Sequence, residues 1–140
     1  MDFAERLQKQ LLKHEGLKLK PYRCPAGKLT IGVGRNLEDV GITELEAMTM
    51  LSHDVSECSA ELSTAMPWTS NLSDPRRAVL INMCFNLGFN GFSKFKKMLA
   101  ACAGGNYELA ASEMLNSDWA GQVESRAEEL ALQMRTGEWL

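Results

Sequence analysis

A chain of 140 residues with 45% hydrophobic and 24% charged side chains is long enough for one domain with a real core and too apolar to be disordered. No apolar run approaches the roughly 20 residues of a membrane span, and a net charge of −3 without a basic recognition helix speaks against nucleic acid as a partner. Four cysteines without a C-x-x-C spacing and only two histidines, His14 and His53, speak against a zinc site.

The first helix is expected over about residues 2–13, where Phe3, Leu7 and Leu11 recur every fourth position and Arg6, Lys9 and Lys13 face elsewhere. Gly16 is suited to stop it, which leaves Glu15 at its end. Leu17 and Leu19 alternate, Pro25-Ala26-Gly27-Lys28 interrupts, and Leu29, Ile31 and Val33 alternate again. That pattern predicts a β-hairpin with Cys24 at its bend and Thr30 on the returning strand. Thr43-Glu44-Leu45-Glu46 reads as a capping box, opening a helix to about residue 64 with Ala47, Leu51, Val55, Cys58 and Leu62 as its apolar stripe.

Met66-Pro67 interrupts that helix, and Trp68 to Leu72 is read as a loop. Ser73-Asp74-Pro75 announces a central core helix, with a capping side chain and proline in its first turn. Val79, Leu80, Met83, Cys84 and Leu87 make its broad apolar face, and Gly88 and Gly91 close it. A short helix follows through Phe92, Phe95, Met98, Leu99 and Cys102. Asn106 caps another, and the last is expected near residues 123–135.

Charge is distributed in blocks. Residues 1–37 carry eight Lys and Arg against three acids, residues 38–73 seven acids and no base, residues 74–97 five bases against one acid, and residues 98–140 seven acids against two bases. The two basic segments, which include Arg76, Arg77, Lys94, Lys96 and Lys97, either flank a groove for an anionic polymer or are ordinary solvated faces. Charges at Asp2, Glu5 and Arg6 occupy the place of a signal peptide's apolar region, so the chain is expected in the cytoplasm where it is made. Its thiols are then expected to be free, at least three of them filling core positions, although the sequence leaves disulfides open.

Glu15, Cys24 and Thr30 stand in the spacing E-x8-C-x5-T within His14–Asn36, with Gly27, Gly32 and Gly34 marking turns or close backbone approach. This stretch, with Glu15-Gly16-Leu17 and Thr30-Ile31-Gly32-Val33-Gly34, resembles the catalytic segment of phage-type lysozymes, the endolysins of glycoside hydrolase family 24. Similarity continues in Arg77–Gly88, in Ser117-Asp118-Trp119 and in Arg135–Trp139, so it spans nearly the whole chain in order. The resemblance implies an α+β, predominantly helical, two-lobed fold. The small lobe is expected at about residues 14–64 and the helical lobe at about 1–13 plus 65–140.

The activity it implies is hydrolysis of the β-1,4 bond between N-acetylmuramic acid and N-acetylglucosamine, with inversion, leading to lysis. Neither metal nor cofactor is implied. The partners are glycan strands of peptidoglycan, with no stable membrane insertion. A monomer is expected, released to the wall through a holin or another route. Glu15 takes the part of general acid. Cys24 stands where most relatives carry Asp and is assigned to water attack as base or dipolar anchor, or else to a covalent thioglycosyl intermediate with retention. Its thiol must then be ionised beyond the few per cent expected at neutral pH, by Arg23 or another cation. Thr30 is expected to hydrogen-bond the attacking water.

The resemblance further implies that Arg126 pairs with Glu15 and that Asn82, Phe85 and Asn86 line the sugar cleft. It also suggests an Arg35–Asp54 salt bridge tying hairpin to helix. Two readings compete with catalysis. One is a peptidoglycan binder that kept the fold and lost the aspartate; the other, disfavoured above, is a helical interaction or DNA-binding protein.

Overall fold

Asp2 starts the first helix, α1 (Phe3–Glu15): its carboxylate accepts from the Glu5 amide at 2.9 Å while the Glu5 carboxylate accepts from the Asp2 amide at 3.1 Å. This reciprocal cap satisfies amides that a helix start leaves free. Gly16 ends the helix at φ +76°, ψ 171°, its N–H still reaching the Leu12 carbonyl. The computed structural model describes residues 1–140, in two units, Met1–Met50 and Leu51–Leu140. In this division α1 groups with the hairpin, and the boundary falls inside the second helix. No residue of α1 is buried, so its stripe of Phe3, Leu7 and Leu11 stays exposed.

In the first unit β1 (Lys18–Arg23), β2 (Leu29–Gly32) and β3 (Arg35–Asn36) form an antiparallel sheet in that order. Tyr22 faces Thr30 and Arg23 faces Leu29, but the register is irregular between Lys18 and Tyr22. Pro21 lies in that irregular stretch of an edge strand, where its missing N–H removes no ladder bond. Thr30 is the single buried residue of this unit. Its surface is tied by exposed ion pairs from Arg23 to Glu38 (2.7 Å) and from Lys28 to Asp39 (3.3 Å). The predicted capping box is present before α2 (Glu44–Ala65): the Glu46 amide donates to Thr43 Oγ1 at 3.1 Å and the Thr43 amide to Glu46 Oε1 at 2.9 Å.

In the second unit the stripe of α2 is only partly used: Leu62 is buried, whereas Leu51 and Val55 remain 40% exposed. The segment read as a loop is a turn of 3₁₀ helix, Pro67–Asn71. The central helix α3 (Asp74–Phe92) buries Val79, Leu80, Met83 and Cys84 as predicted. Ser73 precedes it without a side-chain cap, so Pro75 rather than a hydroxyl marks its start. At Gly88 (φ +76°, ψ 157°) the helical backbone breaks, and a short second piece runs on to Phe92.

After α3 come α4 (Lys96–Ala103), α5 (Tyr107–Leu115), α6 (Asp118–Val123) and α7 (Ser125–Thr136), of which α7 packs on α3. α5 packs on both α4 and α7. Asn106 caps α5 by accepting from the Leu109 amide. α6 lies where the sequence shows no helical stripe, and Ser117 caps it at the Ala120 amide. Arg76 is structural and not a groove flank. Its guanidinium lies 3.7 Å over the Tyr107 ring and donates to the Met134 and Arg135 carbonyls, closing the end of α7. A Cβ at Gly137 would sit 2.9 Å from that guanidinium carbon. No helix is long and apolar enough to cross a membrane.

Candidate active site

The bend between β1 and β2 is built around one carbonyl. Lys28 O accepts the Cys24 amide at 2.9 Å and the Thr30 hydroxyl at 2.8 Å, so both its lone pairs are occupied. A third bond, Gly27 amide to Cys24 O at 2.7 Å, closes the turn. Cys24 is free and half-buried. Its thiol is pulled below its ordinary pKa first by the Lys28 amide, opposed by partial burial, and then by the Ala26 amide, the Thr30 hydroxyl and its own amide. Backbone N–H groups, which favour the thiolate, therefore take the part expected of Arg23. Arg23 itself is held by Glu38 and the Gly27 carbonyl. Thr30 is 3% exposed, and its one hydroxyl proton serves either the Lys28 carbonyl, as in this rotamer, or the Cys24 thiolate.

Glu15, at the last turn of α1, is exposed. Its carboxylate comes against the β2–β3 turn at Gly34: a Cβ on Gly34 would stand 2.8 Å from Glu15 Oε2. Within this unit no hydrogen bond or ion pair holds the carboxylate. A recess of about 470 Å³ lined by Gln8, Leu11, Leu12, Val33 and Gly34 adjoins it.

The expected Arg35–Asp54 bridge is replaced by another. Arg35 grips the Glu46 carboxylate with two bonds of 2.9 and 2.8 Å and also donates to the Gly41 carbonyl. Glu46 is thereby held at about 2, first by Arg35 and then by the Thr43 amide and hydroxyl, and Arg35 is raised in return. The physical reason is position: the capping box pins Glu46 in the first turn of α2, whereas Asp54 lies eight residues on, about 12 Å along the axis.

In the second unit, Asn82, Phe85 and Arg126 line a recess of about 370 Å³ with Leu51, Val55, Ala78 and Ile81. Arg126 is committed to Asn82, its Nε and Nη2 donating to Asn82 Oδ1 at 3.1 and 2.7 Å. Asn86 is tied differently, its Oδ1 accepting from the buried Trp119 indole at 2.8 Å while its NH2 group is left for a ligand. Phe85 remains 43% exposed. No group of three or more His, Cys, Asp or Glu side chains is gathered as a metal would require.

The sequence profile of the phage lysozyme family matches residues 12–133, a span that takes in the hairpin, the core helix and α7 almost to its end. An endolysin of Acyrthosiphon pisum secondary endosymbiont phage 1 is 31% identical, over 82% of this chain and 79% of its own. A probable T4-type lysozyme of Dictyostelium discoideum is 30% identical, with 92% and 94% covered. The SAR-endolysin of Escherichia phage Mu is 26% identical, with 93% and 80% covered. The family match extends over Glu15 at the end of α1, the hairpin with Cys24 and Thr30, and the helices that carry Asn82 and Arg126, and with these relatives it shows that the chain belongs to the phage lysozyme family and is a lysozyme.

Proposed function

We propose that this lysozyme cleaves the β-1,4 bond between N-acetylmuramic acid and N-acetylglucosamine with inversion, using Glu15 as general acid and Cys24 as the group that assists water. Glu15, protonated, gives its proton to the glycosidic oxygen as the bond to the anomeric carbon breaks. A water attacks that carbon from the opposite face, and its proton passes to the Cys24 thiolate. The thiol and the Glu15 carboxylate then exchange protons with solvent to restore the starting state. Thr30, its hydroxyl beside both the Lys28 carbonyl and the Cys24 thiol, accepts from the attacking water and aims it.

The observation that carries this reading is the shared Lys28 carbonyl, which fixes the backbone of Cys24 and the hydroxyl of Thr30 to one atom. The Arg126–Asn82 pair and Phe85, beside a recess of sugar-ring size, support sugar contacts in the second unit. The test is turbidity loss of purified cell walls. Glu15→Gln is expected to abolish lysis, Cys24→Ser to lose most of it, and Cys24→Asp to retain or raise it. A thiol-blocking reagent is expected to inactivate, with chito-oligosaccharide protecting. Full activity of Cys24→Ser would remove the thiol from the mechanism, and lysis by Glu15→Gln would remove the acid.

A further inference from the structure

Gly32 and Gly34 bracket the β2–β3 turn at nearly the same backbone angle, φ +71° and +69°, so an L side chain at either carries the same kind of strain. Their surroundings differ. A Cβ built on Gly32 meets nothing within 4 Å, whereas one on Gly34 stands 2.8 Å from Glu15 Oε2, 3.0 Å from its Cδ and 3.3 Å from its Cγ. From these contacts we infer that Gly34 is a positioning residue for Glu15: the missing side chain is the seat on which the acid's carboxylate rests. The inference deepens the reading of Glu15 as general acid and depends on it.

The group in conflict is the far end of a flexible, exposed side chain, held within its unit by no hydrogen bond or ion pair. An added methyl therefore displaces the carboxylate and leaves the turn in place. An ordinary contact begins near 3.4 Å, so Oε2 must retreat by at least 0.6 Å. Misplacing a reacting group by about 1 Å costs on the order of 100-fold in rate. The added methyl at Gly34 therefore costs catalysis far more than stability.

The test compares Gly34→Ala with Gly32→Ala on purified cell walls and a soluble glycan fragment, reading kcat, KM and the thermal midpoint. Both variants are expected to lose the same few degrees. Gly34→Ala should lose roughly 10- to 100-fold in kcat with KM little changed, and Gly32→Ala should stay within about threefold of the parent by the same geometric argument. If Gly34→Ala fails to fold, Gly34→Asn brings the same Cβ on a residue that tolerates this backbone. In a Glu15→Gln background, Gly34→Ala should remove nothing further. Equal kcat in the two alanine variants overturns the inference while leaving Glu15 as the acid. Undiminished lysis by Glu15→Gln alone overturns the acid reading itself.

Discussion

Asn86→Leu is expected to act on stability before it acts on sugar binding. The Trp119 indole is 3% exposed, and its N–H has one partner, Asn86 Oδ1 at 2.8 Å. Its ring meets Phe95 edge-on at a centroid distance of 6.1 Å, inside the core of the helical unit. Leucine covers the indole edge with at least asparagine's bulk and removes the acceptor. The orphaned donor then costs about 1–3 kcal/mol. A chain of 140 residues unfolds with an entropy of about 0.3 kcal/mol/K, so the thermal midpoint should fall by roughly 3–10 °C. Asn86→Ala, which admits water, should lose less. The assay is thermal unfolding by circular dichroism alongside KM on a soluble glycan. A midpoint unchanged within about 1 °C together with a raised KM would refute the structural role and return Asn86 to the sugar site.

Three further outcomes follow from particular contacts. Glu46 is held at about 2, below its unfolded value near 4.3; its contribution is therefore fully present above the unfolded value and is lost as pH falls through the folded one. The midpoint difference between the parent and Glu46→Gln should be flat above about pH 5 and shrink towards pH 2, and a double-mutant cycle should couple Arg35 to Glu46 while Arg35 and Asp54 stay additive. Glu124 sits at φ 46°, ψ −110° between α6 and α7, a conformation open to glycine, so Glu124→Gly should gain up to about 1 kcal/mol after glycine's own entropic cost, and a lowered midpoint would contradict that strain. Burial raises Cys84 to about 12 and Cys102 to about 11, whereas Cys24 is lowered; a thiol reagent at pH 7 should therefore label Cys24 first, and early labelling at Cys84 in mass spectrometry would contradict the ordering.

What the sequence made legible was local. Thr43 and Glu46 formed their capping box, Gly16 ended α1, and Gly88 broke the core helix, because each depends on neighbours within a turn. Cys24 at the bend and Thr30 on the returning strand follow from alternation on either side of Pro25–Lys28. Partners of long cationic side chains were not legible: Arg35 reaches Glu46, Arg126 reaches Asn82, and Arg76 closes α7 across 58 residues. Guanidinium groups choose among acceptors that only tertiary structure brings near. β3 is two residues long, too short for any periodicity, and α6 is barely longer than one turn and a half. Nor does the motif distinguish Gly32 from Gly34, although only one faces a carboxylate.

Under the mechanism proposed above, Cys24 assists a water molecule and does not itself attack the sugar. Proton NMR of the first product formed from a soluble glycan reads this directly, before mutarotation scrambles the anomers. The expected first product is the α-anomer, from inversion at a β-linkage, with no covalent adduct on Cys24 in rapid-quench mass spectra. A β-anomer accompanied by a glycosyl adduct on that thiol would contradict it.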